Sequence, residues 1–348
     1  MAKTLQELLS PTYVGAYADE ALSNRIPYLG EALFPVKKQV GLTLDWIKGS
    51  KGLPVVLRPA AFDTKAQIRD RQGLSDMSTK MPFFKDSHIV DENLRQQLLL
   101  YLQANNPAFK TLVTRIYDDT AELIEAALAQ LERMRMQVIT TGKIGISTPE
   151  ANYDYDFLHS DNLKEVLAGT AKWDAADTAN PFEDIARWKT AVADESGETI
   201  TRAVLNSTTA AKIARSVIVR KAMNPVGYAN EYITSKKVLA FLSEEFDIQF
   251  VVYDKKFIDE AGVTKSYIPD GIISFLPAGT IGNTWFGTTP EEANKAALAK
   301  TADVAIVQTG IAITSAVSFD PVVAQTKASM VAMPSGESID SVFIATVF

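Results

Sequence analysis

The residue types that most often carry catalysis or bind metals are scarce in this chain. It has no cysteine, which excludes disulfides, thiolate nucleophiles and cysteine-based zinc sites together. Its two histidines, His88 and His159, would need several carboxylates beside them to complete a metal site. We therefore interpret both as ordinary polar residues, and we predict no metal, no cofactor and no catalytic residue.

Two short motifs resemble ligand-binding loops without completing them. Residues 282–289 (GNTWFGTT) have the glycine spacing of a phosphate-binding P-loop, but Thr288 stands where the lysine is required. We interpret this segment as a turn before a helix that Thr289 caps and Pro290 begins. Residues 153–156 (YDYD) lack the spacing and the glutamate of a calcium loop, which favours a solvated surface turn. No Gly-x-Ser-x-Gly elbow is present, and 42 scattered acidic residues define no acid/base pair.

Composition limits the class of protein. The chain has 348 residues, 47% hydrophobic and 22% charged, which is typical of one large globular domain or two smaller ones. No run approaches the ~18 apolar residues of a membrane span, and the first residues lack the apolar core of a signal peptide. We expect no membrane partner and synthesis in the cytoplasm. A net charge of −7 argues against tight DNA binding, although not against proximity to DNA.

The first quarter of the chain shows little core of its own. Residues 1–35 hold short apolar stretches interrupted by prolines, which favours an arm lying on another surface. Residues 36–90 combine strand-like runs, the last of them at 81–90, with many glycines and prolines, which predicts an extended β-ribbon that is unstable alone. Residues 37–71 contain eight basic residues and only three aspartates, which gives this segment a positive charge. We expect the ribbon to contact a neighbouring subunit through Trp46, Lys48, Lys51, Arg58, Lys65, Arg69 and Arg71.

A long helix from about residue 107 to 140 is the clearest element. Asn106 suits its N-cap, Pro107 its first position, and Gly142 its end. At 1.5 Å per residue it is roughly 50 Å long, against an average of about 11–12 residues in globular proteins. We expect it to span the subunit and to bury one apolar stripe, of which residues 123–134 face a sheet. The stripe consists of Leu112, Ile116, Leu123, Ala127, Leu131, Met134 and Val138.

Helices and strands alternate in the second half, which predicts a mixed α/β domain. Helices are expected after Asn180, from a cap at Thr208 through Ile213 and Val217, and after a cap at Ser235. Strands are expected at 203–205, 247–253, 271–276, 311–313 and 341–347, with a hairpin turning at 260–262. The last strand predicts that the chain finishes inside a sheet. The four tryptophans are too dispersed for a binding platform, and we interpret them as core or interface anchors: Trp46, Trp173, Trp188 and Trp285.

The order of these features resembles the major capsid proteins of lambda-type tailed bacteriophages, the phage capsid protein E family, which has the Hong Kong 97-type fold. The resemblance covers nearly the whole chain, and its elements are individually weak but consistent in order and spacing. Its most specific block lies between residues 252 and 271. The matching segments are Phe34-Pro35, residues 45–73, 82–89, 131–143, Trp173-Asp174, 181–185, 252–254, Asp259, Gly262, 267–271, 287–292, Asp320-Pro321 and Met333-Pro334.

This resemblance implies an α+β fold in four parts: an N-terminal arm (1–35), an extended loop (36–90), a peripheral domain (91–180 and 311–348) that contains the spine helix, and an axial α/β domain (181–310). It implies a major capsid protein, not an enzyme, that self-assembles as pentamers and hexamers into the icosahedral head shell. That shell would enclose the double-stranded DNA of a tailed phage, touching it by weak non-specific proximity. The implied partners are a scaffold protein, a portal and a decoration protein, with assembly in the host cytoplasm and residence in the virion.

Two other classes of protein stay open at this level. One is a host-encoded nanocompartment shell of the same fold, which the flanking genes would distinguish. The other is an α/β enzyme with an unrecognised site, which would form small oligomers instead of very large particles. Some relatives of the fold join subunits through Lys–Asn isopeptide bonds, and Lys48, Lys51 and Lys65 lie where such a lysine could be. The lambda-type resemblance instead implies a shell without covalent links that matures by rigid-body rotation of its subunits.

Overall fold

The structure is a computed structural model that describes residues 10–23, 25–48, 75–104, 107–149, 151–227, 232–294, 302–318, 320 and 322–348. The helices are α1 (Pro11–Ser23), α2 (Leu29–Leu33), α3 (Glu92–Gln103), α4 (Ala108–Thr141), α5 (Pro181–Ser196), α6 (Ser207–Ile213), α7 (Val217–Met223), α8 (Ser235–Phe246) and α9 (Pro290–Ala293). The strands are β1 (Val36–Lys38), β2 (Thr43–Lys48), β3 (Ser75–Lys80), β4 (Phe83–Val90), β5 (Lys143–Ser147), β6 (Asn152–Asp156), β7 (Lys164–Val166), β8 (Ile200–Leu205), β9 (Gln249–Val252), β10 (Lys256–Ile258), β11 (Thr264–Ser266), β12 (Ile272–Pro277), β13 (Thr284–Phe286), β14 (Ala302–Val307), β15 (Ile311–Val317), β16 (Ala324–Pro334) and β17 (Phe343–Thr346).

The chain forms two compact units, each assembled from separated stretches. The first unit comprises Met1–Asp45, Ser78–Met134 and Asn283–Ser335, and the second comprises Trp46–Met77, Arg135–Gly282 and Gly336–Phe348. These limits differ from those of the predicted domains, because the segment 311–348 is shared between the two units. The division into peripheral and axial domains stays a prediction.

The first unit contains a sheet with the strand order β1-β13-β16-β15-β14, in which β4 also pairs with β16. The eleven-residue β16 is its central strand: it is antiparallel to β4 over Ala324–Val331, to β15 over Ala324–Ser329 and to β13 over Ala332–Pro334. Residues 328–334 of β16 are buried without alternation, which shows that both faces of the sheet are covered at this strand. The predicted strands in 81–90 and 311–313 are confirmed.

The predicted long helix is confirmed as α4, which has 34 residues and so measures about 51 Å. Its N-terminal part packs with Leu98 of α3 and with Val90 and Ala324 of the sheet. The helix ends at Gly142, which has the left-handed φ of 70° that favours glycine at this position. Within the predicted stripe, Leu112 and Ala127 are half-buried and the other members are buried: Ile116, Leu123, Leu131, Met134 and Val138.

The second unit contains a five-stranded sheet of order β7-β17-β12-β8-β9. Strand β12 is antiparallel to both β17 and β8, whereas β7 is parallel to β17 and β9 is parallel to β8. The last strand, β17, confirms that the chain finishes inside a sheet. The predicted strands near 203–205 and 271–276 are confirmed as β8 and β12, and the hairpin at 260–262 connects β10 to β11. The strand predicted over 247–253 is shorter, and its residues are not buried: Gln249 and Val252 are exposed, and Phe250 and Val251 are half-buried.

Two tryptophans form the aromatic centre of the second unit. The ring of Trp188 lies 5.6 Å from that of Trp173 and 5.4 Å from that of Phe343. Their indole nitrogens are satisfied, because Trp173 donates to Asp184 at 2.8 Å and Trp188 donates to Glu165 at 2.5 Å. The interpretation of these two tryptophans as core anchors is confirmed.

The surface turn predicted for residues 153–156 is wrong. These residues belong to β6, which pairs in antiparallel fashion with β5. The alternation of tyrosine and aspartate has the period of two of a strand, and the rings of Tyr153 and Tyr155 stack at 6.2 Å on the same face. Tyr153 and Tyr155 are half-buried whereas Asp154 and Asp156 are exposed, and burial raises the pKa of Tyr155 to about 12.

Three predicted helix boundaries need correction. Asn206, not Thr208, caps α6, since its side-chain oxygen accepts from the amide of Thr209 at 2.8 Å. This helix ends at Ile213, and the helix predicted to continue through Val217 begins anew there as α7. Thr234, not Ser235, caps α8. At both caps several cap-forming residues are adjacent, so composition does not determine which one lies outside the helix.

Candidate assembly surfaces

The structure describes only part of the predicted ribbon contact. Lys51, Arg58, Lys65, Arg69 and Arg71 lie outside the described residues, and for Lys48 only the backbone, the end of β2, is described. Trp46 is 7% exposed, and its ring lies 5.9 Å from that of Phe157. Most of this indole is therefore covered within its own subunit. The role of the seven residues in subunit contacts stays a prediction.

The described base of the ribbon is a two-stranded sheet made of β2 and β3. The amide of Met81 donates to the carbonyl of Leu42 at 2.8 Å, which ties the return of the ribbon to its start. Beside this link, Val40 is 95% exposed and Leu42 is also exposed. A two-stranded ribbon is marginal alone, and adjacent exposed apolar residues are typical of an interaction surface. The base of the ribbon thus has the properties of a contact region.

The described part of the N-terminal arm lies on the first unit of its own chain. Helix α1 contacts strands β14 and β15. The Tyr17 hydroxyl donates to a carboxylate oxygen of Asp118 at 2.6 Å, and this hydrogen bond raises the pKa of Tyr17. The amide of Gly30 donates to both carboxylate oxygens of the fully buried Glu132 at 3.1 Å. The helical pattern predicts that Glu132 lies on the polar face of the helix, which is wrong, because the side chain is buried by its contact with the amide of Gly30.

Two basic residues at the start of the ribbon are engaged within the subunit. The Lys37 ammonium lies 5.3 Å from the centre of the Trp285 ring, and Lys38 pairs with Glu292 at 2.5 Å. The neighbouring Glu291 pairs with Lys327. Burial would raise the pKa of Glu291, but hydrogen bonds from Lys327 and from a serine of β16 outweigh it and lower this pKa. Lys37 and Lys38, which belong to the basic excess of the ribbon, therefore bind residues of their own chain.

The histidines and the P-loop-like motif, which the sequence analysis considered as possible binding residues, have the following positions in the fold. His88 is exposed on β4, whereas His159 is buried with its Nε2 2.8 Å from the carbonyl oxygen of Val342. Within the described residues there is no group of three or more histidine and acidic side chains that could hold a metal ion. Thr289 caps α9 by accepting from the amide of Glu292 at 3.2 Å, which confirms the cap predicted for the loop-like motif. Of the described helices, none combines the length and the apolarity needed to cross a membrane.

The architecture defines a class of protein before any family is considered. Two mixed α+β units, a long helix and a ribbon with exposed apolar residues at its base describe a subunit built for contact with other subunits. Solved structures of low identity share this fold. One is a capsid protein of a prophage from Escherichia coli CFT073, with 15% identity over 98% of this chain and 99% of that one and a TM-score of 0.63. Another is a phage-related protein from Bordetella bronchiseptica RB50, with 13% identity over 96% of this chain and 95% of that one and a TM-score of 0.57. A third is the capsid of cyanophage A-1(L), with 12% identity over 92% of each chain and a TM-score of 0.51. The fold is the Hong Kong 97-type capsid fold, as predicted.

A family model described as Phage major capsid protein E matches residues 17–347, and the chain belongs to this family. The protein is a major capsid protein, a structural subunit of the phage head shell and a component of the virion. No curated protein matches the chain.

Proposed function

We propose that this protein closes the head shell of a tailed phage by laying the ribbon of residues 36–90 across a neighbouring subunit. The observation that supports the proposal is the base of the ribbon, where β2 and β3 form a sheet of two strands and the exposed Val40 and Leu42 lie beside it. Such an element gains stability only by covering another surface. The chain as a whole is acidic, with a net charge of −7, so a basic ribbon has acidic partners on every copy.

The other partners of the shell are those that the resemblance to the capsid family implies. Copies of this chain would form pentamers and hexamers, a scaffold protein would guide their assembly, and a portal and a decoration protein would complete the head. Packaged double-stranded DNA would be held by confinement and not by tight binding, because a chain of net charge −7 gains little from phosphate contacts. Assembly would take place in the host cytoplasm, and the subunit would carry out no catalysis.

A deletion tests the role of the ribbon. Residues 49–74 are replaced by a short Gly-Ser linker, which keeps Trp46 on Phe157. The expected product is a folded, soluble protein with an unchanged circular dichroism spectrum and no shells in negative-stain electron microscopy. The matched control replaces the exposed loop 278–280, which is three residues long, by a Gly-Ser linker. Closed shells from the ribbon deletion would disprove the proposed role, whereas failure of the unaltered chain to form large particles, with or without its scaffold, would disprove the shell function itself.

A further inference from the structure

A groove in the second unit is open to a partner. A cavity of about 480 Å³ lies between α8 and the edge strand β9. Its apolar lining includes Leu239, Ala240, Phe250 and Val252, and Lys236 also lines it. Among the described strands, none pairs with the outer edge of β9. An apolar groove beside a free strand edge is typical of a surface that another chain covers.

The β10–β11 hairpin that follows β9 carries exposed apolar residues, and hydrogen bonds stabilise its turn. Ile258 is 71% exposed and Val263 is 52% exposed, one on each side of the turn. The turn is held by Asp259, whose Oδ1 accepts from the amides of Ala261 at 3.0 Å and Val263 at 2.8 Å. Lys265 pairs with the same carboxylate at 2.7 Å, and its hydrogen bond lowers the pKa of Asp259, which keeps the carboxylate charged.

Aromatic rings fix the base of the hairpin. The ring of Tyr267 lies 5.0 Å from that of Phe257 and 6.1 Å from that of Tyr253. The amide of Tyr267 also donates to the carbonyl of Lys255 at 3.2 Å. The hairpin is thus ordered before any partner arrives, and a preorganised element binds without paying the entropy of ordering.

We propose that this hairpin of one subunit inserts into the α8–β9 groove of its neighbour within the shell. Ile258 and Val263 supply aliphatic side chains for the apolar lining, and the acidic turn at Asp259-Glu260 meets Lys236. The groove lining contains no acidic residue, so the charges of the two surfaces are complementary. This inference rests on the proposed shell function, because the partner is a second copy of the chain.

The geometry of the contact suits a ring of subunits. Hairpin and groove are different patches of the same chain, so the contact is heterologous and each copy both gives a hairpin and receives one. A repeated contact of this kind closes into a ring when its rotation permits, and no further chain is needed to complete it.

Engineered cysteines test the contact directly, because the natural chain has none. The double variant Ala240→Cys with Val263→Cys is assembled under reducing conditions, checked for particles by electron microscopy, and then oxidised. We expect a non-reducing gel to show multiples of the 38.0 kDa chain, ending at the number of subunits in one ring. The matched control pairs Val263→Cys with Val166→Cys, an exposed position on β7 at the opposite edge of the same sheet, and should remain a single band.

Charge reversal provides a second, independent measurement. Lys236→Glu and Glu260→Lys should each lower the yield of particles about tenfold, which corresponds to about 1.4 kcal/mol, and their combination should restore it. Assembled particles of the cysteine variant that run as a single band, or equal ladders from both cysteine pairs, would overturn the contact and leave the shell function standing. So would a charge-reversed pair that assembles no better than either single variant.

Discussion

Leu131 offers a stringent test of how α4 is packed. Its side chain is 1% exposed near the end of the buried stripe, close to Met134, which is also buried. Truncating a buried leucine to alanine costs about 2–5 kcal/mol. An aspartate at the same place adds the cost of burying an unpaired carboxylate, so Leu131→Asp should cost more than about 4 kcal/mol. Since a typical domain is stable by only about 5–15 kcal/mol, this variant should be largely insoluble or unfolded.

The assay is urea unfolding of unassembled subunits, followed by circular dichroism. Leu131→Ala should lower the urea concentration at the midpoint of unfolding. If the two units unfold in separate transitions, the midpoint of the first unit is the one that should decrease. Leu100→Asp is the matched control, because Leu100 on α3 is 63% exposed and the change should stay within about 0.5 kcal/mol. Equal midpoints for the Leu131→Asp and Leu100→Asp variants would refute the packing described for α4.

Three further predictions concern the turn after α4, acid stability and covalent links. Gly142→Ala should cost more than about 1 kcal/mol in thermal unfolding, since φ is 70° there and the new Cβ would lie 2.9 Å from His159, whereas Gly145→Ala meets no atom within 4 Å and should be milder. The pKa of Glu291 is lowered in the folded chain, so its pairing with Lys327 stabilises the fold above the unfolded pKa of about 4.3 and is lost as the pH falls through the lower folded pKa. Glu291→Gln should therefore destabilise at pH ~7 and lose less stability than the unaltered chain between pH ~5 and ~3, and identical melting profiles would contradict this. Boiled mature particles should give one band near 38.0 kDa on a denaturing gel, and a ladder would indicate covalent links between subunits.

Elements whose signals are local could be predicted from the sequence. The long helix is one, because its stripe repeats over seven positions and Gly142 ends it at the predicted residue. The hairpin at 260–262 is another, since a turn-forming glycine follows Asp259 between two short strand-like runs. Thr289 and Pro290 likewise specify the start of α9 through contacts within one turn. In each case the determining interactions lie within a few residues along the chain.

Contacts between distant segments could not be predicted from the sequence. Glu132 carries no mark that it would bind the amide of Gly30, a residue 102 positions earlier. Strand β17 pairs with β12 and not with β16, although β16 precedes it closely in the chain. Both facts depend on which segments fold into which unit, and hydrophobic periodicity does not specify that choice. The apolar groove is also of this kind, because α8 and β9 form it only with residues of α6.

Both ends of the ribbon are anchored in the sheet of the first unit. On the N-terminal side the ribbon leaves from β1, which has only three residues and pairs in parallel with β13. On the C-terminal side it returns through β4, which pairs with β16 over eight positions. Both anchoring strands, β13 and β16, are neighbours in one sheet. If the ribbon contacts a neighbouring subunit as proposed, a force on it would act mainly on the β4–β16 pairing, because the three-residue β1 has fewer hydrogen bonds and would separate first. The proposed contact would then be coupled to the central strand of the first unit.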